Sequence, residues 1–117
     1  MKEGPIVKKS FEFSLSILSY CEYLNSKKKF IIANQLLKSG TSVGANVFEA
    51  QYSESRLDFI HKMKIALKEA NETFYWLSLC EKTEGLSVQQ EILDGLKEVI
   101  LILSKIIVTS KKNLTKN

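Results

Sequence analysis

The sequence contains a single proline, Pro5, so the strongest helix breaker is absent from residues 6–117. Within that stretch, apolar residues recur every three or four positions in four segments, which is the spacing of amphipathic helices. With 44% hydrophobic and 26% charged residues, the composition excludes disordered, collagen-like and disulfide-scaffold chains. These features predict an all-α globular chain.

The first two predicted helices cover residues 11–25, with Ser10 as N-cap, and residues 30–51. Gly40 and Gly44 lie inside the second helix, where each costs about 1 kcal/mol relative to alanine. Two glycines four residues apart indicate either close packing of another backbone or a local bend. We favour close packing.

The third predicted helix begins at a capping box formed by Ser55 and Asp58 and ends near Lys82. Ser87 and Gln90 are predicted to cap the fourth helix. The positions predicted to face the core in the first and third helices are Phe11, Leu15, Leu18, Tyr20, Leu24, Met63, Ala70 and Phe74.

Short connections between these helices predict an antiparallel up-down-up-down four-helix bundle. We expect one domain over residues 1–117, with basic tails at about 1–9 and 111–117. The β-branched run at 106–109 is compatible with a strand, but no partner strand is predicted, so we assign it to the fourth helix.

The formal charge of +4 comes from the ends of the chain, because residues 10–110 contain more acidic than basic residues. In the predicted topology, the start of the first helix and the end of the fourth lie at the same end of the bundle. This arrangement would bring the lysines of both tails together and place residues 27–29, three consecutive lysines, at the other end. The candidates for phosphate binding are Lys8, Lys9, Lys111 and Lys112. Solvated lysines at helix ends are the alternative.

The third helix carries a second apolar stripe on the side opposite its predicted core face. It contains Leu57, Ile65, Tyr75, Trp76 and Leu79. Large aromatic and aliphatic residues mixed with charges are typical of a protein interface, so the stripe favours self-association. Half-burial of Trp76 and Ile65 against a neighbouring helix is the alternative.

Four polar residues share one face of the second helix, namely Gln35, Ser42, Asn46 and Glu49. If this face lies inside the bundle, the side chains must hydrogen-bond one another or a neighbouring helix. They would then form a polar seam that fixes the register of the helices or the oligomeric state. A solvated stripe explains the spacing equally well.

The sequence lacks the groups that catalysis or metal binding requires. His61 is the only histidine, Cys21 and Cys80 lie on apolar faces where inert buried thiols are expected, and Gly40 and Gly44 lack the lysine of a P-loop. We therefore predict neither enzymatic activity nor a cofactor or metal site. The absence of a long apolar run or signal peptide argues against a membrane partner and for a cytoplasmic location.

The run from Gln35 to Gln51, followed by residues 55–70 and 72–77, resembles a bacterial four-helix-bundle family. This family is named for proteins encoded in intervening sequences of 23S rRNA genes, and the accessory variability protein of diversity-generating retroelements is similar. The resemblance covers about residues 8–110. In the central motif, the matching residues are Gln35, Ser42, Asn46 and Glu49.

The resemblance implies an antiparallel bundle that assembles into a homopentamer with a basic surface. It also suggests RNA or DNA as a partner, and a reverse transcriptase or another protein, although the role of most members is unknown. Leu37 and Lys38 stand where paired arginines often occur in the family. Because arginine binds phosphate through two donors at once and these residues do not, the resemblance is weaker support for nucleic-acid binding by this chain. The sequence thus predicts a self-assembling interaction module that binds structured nucleic acid, or alternatively a protein-binding scaffold.

Overall fold

The computed structural model describes residues 4–115, which form four α-helices. These helices are α1 (Pro5–Ser26), α2 (Phe30–Ala50), α3 (Arg56–Lys82) and α4 (Gln90–Thr115). No strand occurs among the described residues, and the β-branched run at 106–109 lies within α4. The all-α prediction is confirmed.

The helices pack in chain order, α1 on α2, α2 on α3, α3 on α4 and α4 on α1, with no backbone contact along either diagonal. Short loops reverse the chain after each helix, so the structure is an antiparallel up-down-up-down four-helix bundle. The bundle measures 54 × 23 × 21 Å. Its α1–α2 and α3–α4 sides are opposite each other, as are its α2–α3 and α4–α1 sides.

Helix α1 begins six residues before the predicted start. Gly4 is the N-cap in an extended conformation, and Pro5 occupies the first turn, where its fixed φ suits the helix and its missing N–H leaves no donor unpaired. Ser10, which we predicted to cap the helix, lies inside it and donates to the carbonyl of Val7. The basic segments are consequently helical at 5–9 and 111–115, whereas Lys2 and Lys116 lie outside the described residues.

Ser55 caps α3 as predicted, but Asp58 returns its bond to the residue before the cap rather than to Ser55 itself. Ser55 Oγ accepts a hydrogen bond from the Asp58 backbone N–H at 3.0 Å, and Asp58 Oδ2 accepts one from the Glu54 N–H at 3.4 Å. Lys62 also contacts the Asp58 carboxylate, at 3.2 Å. The hydrogen bond from Lys62 is the main cause that lowers the pKa of Asp58.

Ser87 does not cap α4, because two tyrosines of α1 hold it in the α3–α4 loop. The hydroxyl of Tyr20 donates to the Ser87 carbonyl at 2.9 Å, and the Ser87 N–H donates to the Tyr23 hydroxyl oxygen at 3.0 Å. These bonds tie the loop to the end of α1. The pKa of Tyr23 is lowered mainly by the Ser87 hydroxyl, 3.4 Å from the Tyr23 hydroxyl, and then by the Ser87 N–H, because hydrogen bonds from these groups favour the phenolate.

The two glycines of α2 allow close contact with α1, as predicted. A Cβ at Gly40 would lie 2.8 Å from Ile17 Cγ2, and one at Gly44 would lie 2.9 Å from Ser14 Oγ and 3.2 Å from the Ser10 carbonyl oxygen. Real Cβ atoms almost never approach as closely as the Ile17 contact, so Gly40 is required at the observed helix separation. At Gly44 the Ser14 hydroxyl can turn away, but the Ser10 carbonyl oxygen would still crowd a Cβ atom. The contact also fixes which side of α1 faces α2.

The core contains residues from all four helices. Its large, fully buried side chains include Ile17, Leu24, Leu36, Met63, Leu77, Leu96 and Leu103. Tyr20, Leu24, Met63 and Ala70 were predicted correctly. The predictions for Phe11, Leu15, Leu18 and Phe74 were wrong, because these side chains are 60%, 51%, 46% and 40% exposed. None of the helices within residues 4–115 contains an apolar stretch of the length that a bilayer crossing requires.

Candidate functional site

Lys8, Lys9, Lys111 and Lys112 lie on the first turns of α1 and the last turns of α4. Lys9 forms an ion pair with Glu98 of α4, with 2.9 Å between Nζ and Oε1, and this hydrogen bond raises the pKa of Lys9. Lys8, Lys111 and Lys112 are exposed. Part of the charge of Lys9 is thus neutralised within the subunit.

The four lysines occupy two levels of the bundle rather than one. Lys112 follows Glu98 by about four helical turns, or about 21 Å of rise, while Glu98 lies beside Lys9. The lysines of the two tails therefore do not form one cluster, as the predicted topology implied, but lie at two levels along the bundle axis. Lys105 lies between the two levels, since Glu98, Lys105 and Lys112 follow one another at seven-residue intervals on a single stripe of α4. Lys105 was not among the predicted phosphate-binding residues, although the seven-residue interval is visible in the sequence.

The three lysines of the α1–α2 turn lie at the other end of the bundle, as predicted. Lys28 has a φ of 60°, the left-handed conformation that a tight turn requires, and Lys27 Nζ lies 5.8 Å from the centre of the Tyr23 ring. Residues 25–31 are all exposed and contain no carboxylate. The turn is thus a compact cationic corner.

The predicted apolar stripe of α3 divides into two parts. Leu57, Tyr75 and Leu79 are exposed, whereas Ile65 is half-buried and Trp76 packs against the core. The Trp76 indole N–H donates to Glu72 Oε2 at 3.1 Å, along the edge where α3 meets α2. The expectation that Trp76 faces away from its own core needs correction, because α2 covers part of the indole.

Two of the four polar residues of α2, Ser42 and Asn46, hydrogen-bond to their own helix. Gln35 and Glu49 are exposed, while Ser42 donates to the Lys38 carbonyl at 2.7 Å and Asn46 donates to the Ser42 carbonyl at 2.8 Å. None of these bonds crosses to α3. This pattern fits the solvated stripe better than a seam that sets register within the subunit.

A polar contact between α2 and α3 does exist, about one helical turn before Ser42. The hydroxyls of Ser39 and Thr73 are 2.9 Å apart, and both residues are fully buried. A buried hydroxyl without a partner costs about 1–3 kcal/mol, so this pair favours one axial alignment of α2 and α3. Sequence reasoning missed the pair, because Ser39 and Thr73 are far apart in the chain and neither stands out by spacing.

Two opposite sides of the bundle expose large apolar residues. The α1–α2 edge, as we name it, consists of Phe11, Leu15, Leu18, Leu37 and Phe48. A shallow groove on this edge is floored by Gly44 and Ala45 between Phe11 and Phe48. The α3–α4 edge, as we name the exposed apolar residues of these two helices, consists of Leu57, Tyr75, Leu101 and Val108. The Tyr75 ring also packs edge-on against Trp76, with 5.2 Å between the ring centroids. Groups of exposed apolar side chains of this kind are typical of interaction surfaces.

The described residues show no reactive centre. Burial raises the pKa of Cys21 to about 11 and also raises that of Cys80, which keeps both thiols protonated and unreactive at neutral pH. His61 is exposed. Among residues 4–115, no group of three histidine, cysteine or acidic side chains could hold a metal ion.

Comparison with known proteins gives the chain a family. Its residues 2–108 match the family described as 23S rRNA-intervening sequence protein. A crystal structure of a protein of unknown function from the S23 ribosomal protein family of Bacteroides thetaiotaomicron VPI-5482 superimposes with a TM-score of 0.84. The two sequences are 44% identical over 87% of this chain and 97% of that one. No curated protein matches. A profile match over nearly the whole sequence, together with this shared bundle, shows that the chain belongs to the 23S rRNA-intervening sequence protein family.

Proposed function

We propose that this chain is a non-enzymatic, self-assembling bundle that holds structured RNA or DNA through Lys8, Lys9, Lys111 and Lys112. The observation that carries the proposal is the basic line along the α4–α1 side, where Lys9, Lys105 and Lys112 succeed one another over about 21 Å. Lysines spaced along a rod suit the regular phosphates of a nucleic-acid backbone. The family's name, which refers to 23S rRNA, is consistent with such a partner.

The second part of the proposal is that copies of the chain assemble through the exposed apolar residues of α3. Leu57, Tyr75 and Leu79 give α3 an exposed apolar surface, and Ile65 and Trp76 border it as half-buried neighbours. A homopentamer is the assembly that the family resemblance implies. Five copies would multiply the lysines presented to one nucleic acid, so binding that is weak for one chain becomes strong for the assembly.

Retention of an RNA hairpin at low salt tests the nucleic-acid role. We expect the variant K8E/K9E/K111E/K112E to lose most retention, because four phosphate contacts are removed at once. For the unmodified protein, log affinity should fall linearly with log salt concentration, with a slope that is shallower in the variant by about 3 to 4. The variant K27E/K28E/K29E changes charge at the other end of the bundle and serves as a control. Equal retention by all three proteins would reject the proposal.

A protein-binding scaffold without a nucleic-acid role is the second candidate, and the two apolar edges favour it. On this account the lysines serve solubility, and the partner is another protein, such as the reverse transcriptase that the resemblance suggests. The purified protein distinguishes the two functions. Nucleic-acid absorbance that copurifies and disappears in high salt supports the first, and its absence supports the second.

A further inference from the structure

We propose that a groove beside the α1–α2 turn binds a short segment of a partner protein, in which large apolar residues are flanked by aspartates or glutamates. The groove has a volume of about 500 Å³ and is lined by lysines of the turn, by the start of α2 and by Trp76 of α3. It is separate from the basic line on the α4–α1 side, so it would act whether or not the chain binds nucleic acid.

The groove opens on the α2–α3 side of the bundle. Ile32 and Gln35 line it from α2, and Trp76 lines it from α3. Counting from the Ser39–Thr73 contact in opposite chain directions places Trp76 within one residue of the level of Gln35. The two helices thus form opposite walls of one recess near the end of the bundle.

Apolar side chains form the walls of the groove. Ile31 is 84% exposed at its mouth, while Ile32 and Trp76 pack against the core. The Trp76 indole N–H already donates to Glu72 Oε2 at 3.1 Å, so the indole offers the groove an apolar surface rather than a free donor. Covering Ile31 and the indole with an apolar side chain would remove both from water, which favours binding.

The rim of the groove is cationic. Residues 25–31 contain three lysines and no carboxylate, and two of these lysines, Lys28 and Lys29, line the groove. Among the described residues, no side chain caps α2 at Lys29, and the first turn of α2 contains no acidic residue. The N–H groups of a first helical turn have no partner within the helix and favour an anion. Carboxylates of the partner would therefore be attracted both by the lysines and by the start of α2.

The surrounding charges favour a short acidic segment over an extended anionic surface. Glu72 lies one turn from Trp76 toward the middle of α3, and Glu81 and Glu84 lie at the same end of the bundle as the lysines, where they outnumber Lys82. A membrane or a nucleic-acid backbone would extend past the lysines and meet these carboxylates, which repel anions. A segment of a few residues instead places its carboxylates at the lysines and its apolar side chain beside Trp76.

The fluorescence of Trp76 tests the proposal, because this residue is the only tryptophan in the chain and lines the groove. The probe is a short synthetic peptide with a leucine–phenylalanine pair flanked by aspartates on both sides. We expect titration with this peptide to change the Trp76 emission to saturation, and added salt to weaken the binding. A peptide with glycines in place of the apolar pair, and one with lysines in place of the aspartates, should leave the emission unchanged.

Two variants of the groove and one matched control complete the test. K28E/K29E reverses the rim charge and should weaken peptide binding roughly tenfold or more, and I31E should weaken it as well. The control K64E/K68E makes the same change of net charge on α3, at levels about 22 Å or more along the bundle from the turn, and should bind like the unmodified protein. All five side chains are exposed, so we expect every variant to keep its helix content by circular dichroism.

The remaining outcomes would overturn the proposal. No change in emission with the acidic peptide, or equal weakening by K28E/K29E and K64E/K68E, would exclude a peptide site at the turn. Saturable changes with phosphatidylserine vesicles or with single-stranded RNA, but not with the peptide, would assign the turn to that anionic surface instead. None of these results depends on RNA retention by the lysines of the tails, so failure of this site and failure of the nucleic-acid role are distinguishable.

Discussion

Helices α1 and α3 each carry two apolar faces, but the bundle treats their second faces differently. In α1 the second face, with Phe11, Leu15 and Leu18, remains exposed. In α3, part of the second face is covered, because Trp76 packs against the core beside α2. The comparison shows that apolar periodicity identifies the faces of a helix, whereas its neighbours determine which face becomes the core.

The largest expected effect on stability is the difference between substitutions on the buried and the exposed face of α1. I17A removes a fully buried side chain at the Gly40 contact, so we expect it to lower the free energy of unfolding by about 2–5 kcal/mol. L15A lies on the exposed face and should change it by less than about 1 kcal/mol. Urea unfolding of both variants measures the difference. Equal losses would mean that both faces of α1 are buried.

The next prediction concerns the close contact of the α2 glycines with α1, which determines the face of α1 that is buried. G40A and G44A each add a methyl group within 3 Å of α1, and we expect each to cost about 1–3 kcal/mol of unfolding free energy. G95A is the matched control, because a Cβ there would meet only Phe13, at 3.9 Å. G95A should stabilise the protein by up to about 1 kcal/mol. Thermal unfolding of the three variants gives the comparison, and stabilisation by all three would contradict the close contact.

A smaller effect is expected at the hydroxyl pair of the α2–α3 contact. T73V leaves the Ser39 hydroxyl buried without its partner, so we expect a loss of about 1–2 kcal/mol. The double variant S39A/T73V removes both hydroxyls and should recover part of that loss. Chemical unfolding of the single and double variants checks the coupling, and purely additive losses would show that the two hydroxyls do not depend on each other.

The smallest effect concerns the cap of α3 and its dependence on pH. Because the pKa of Asp58 is lowered from 3.8, its carboxylate stabilises the folded state above that value, and the contribution is lost as pH falls through the lowered pKa. D58N should therefore be slightly less stable than the unmodified protein at pH 7 and lose less stability than that protein as pH falls through the lowered pKa of Asp58. Thermal unfolding at several pH values measures this, and identical pH profiles would exclude a role for Asp58.

The sequence was sufficient to predict the four helices, their antiparallel order, the Ser55 cap and the close approach at Gly40 and Gly44, because these depend on local spacing and residue type. It was insufficient to choose between the two apolar faces of α1, since Phe11 and Phe13 are equally apolar and only contact with α2 separates them. The same holds for the Ser39–Thr73 pair, which exists only once two helices meet. The basic line was predicted in part, because the distance between Lys9 and Lys112 depends on how far α4 extends beyond its partner.

The mass of the unmodified chain in solution tests the central claim most directly, namely that exposed apolar edges are covered by sister chains. Sedimentation equilibrium at micromolar concentration should give a discrete assembly of about five times the 13.3 kDa chain mass, the subunit number that the family resemblance implies. A single species at 13.3 kDa over the whole concentration range would contradict the account, because both edges would then face water.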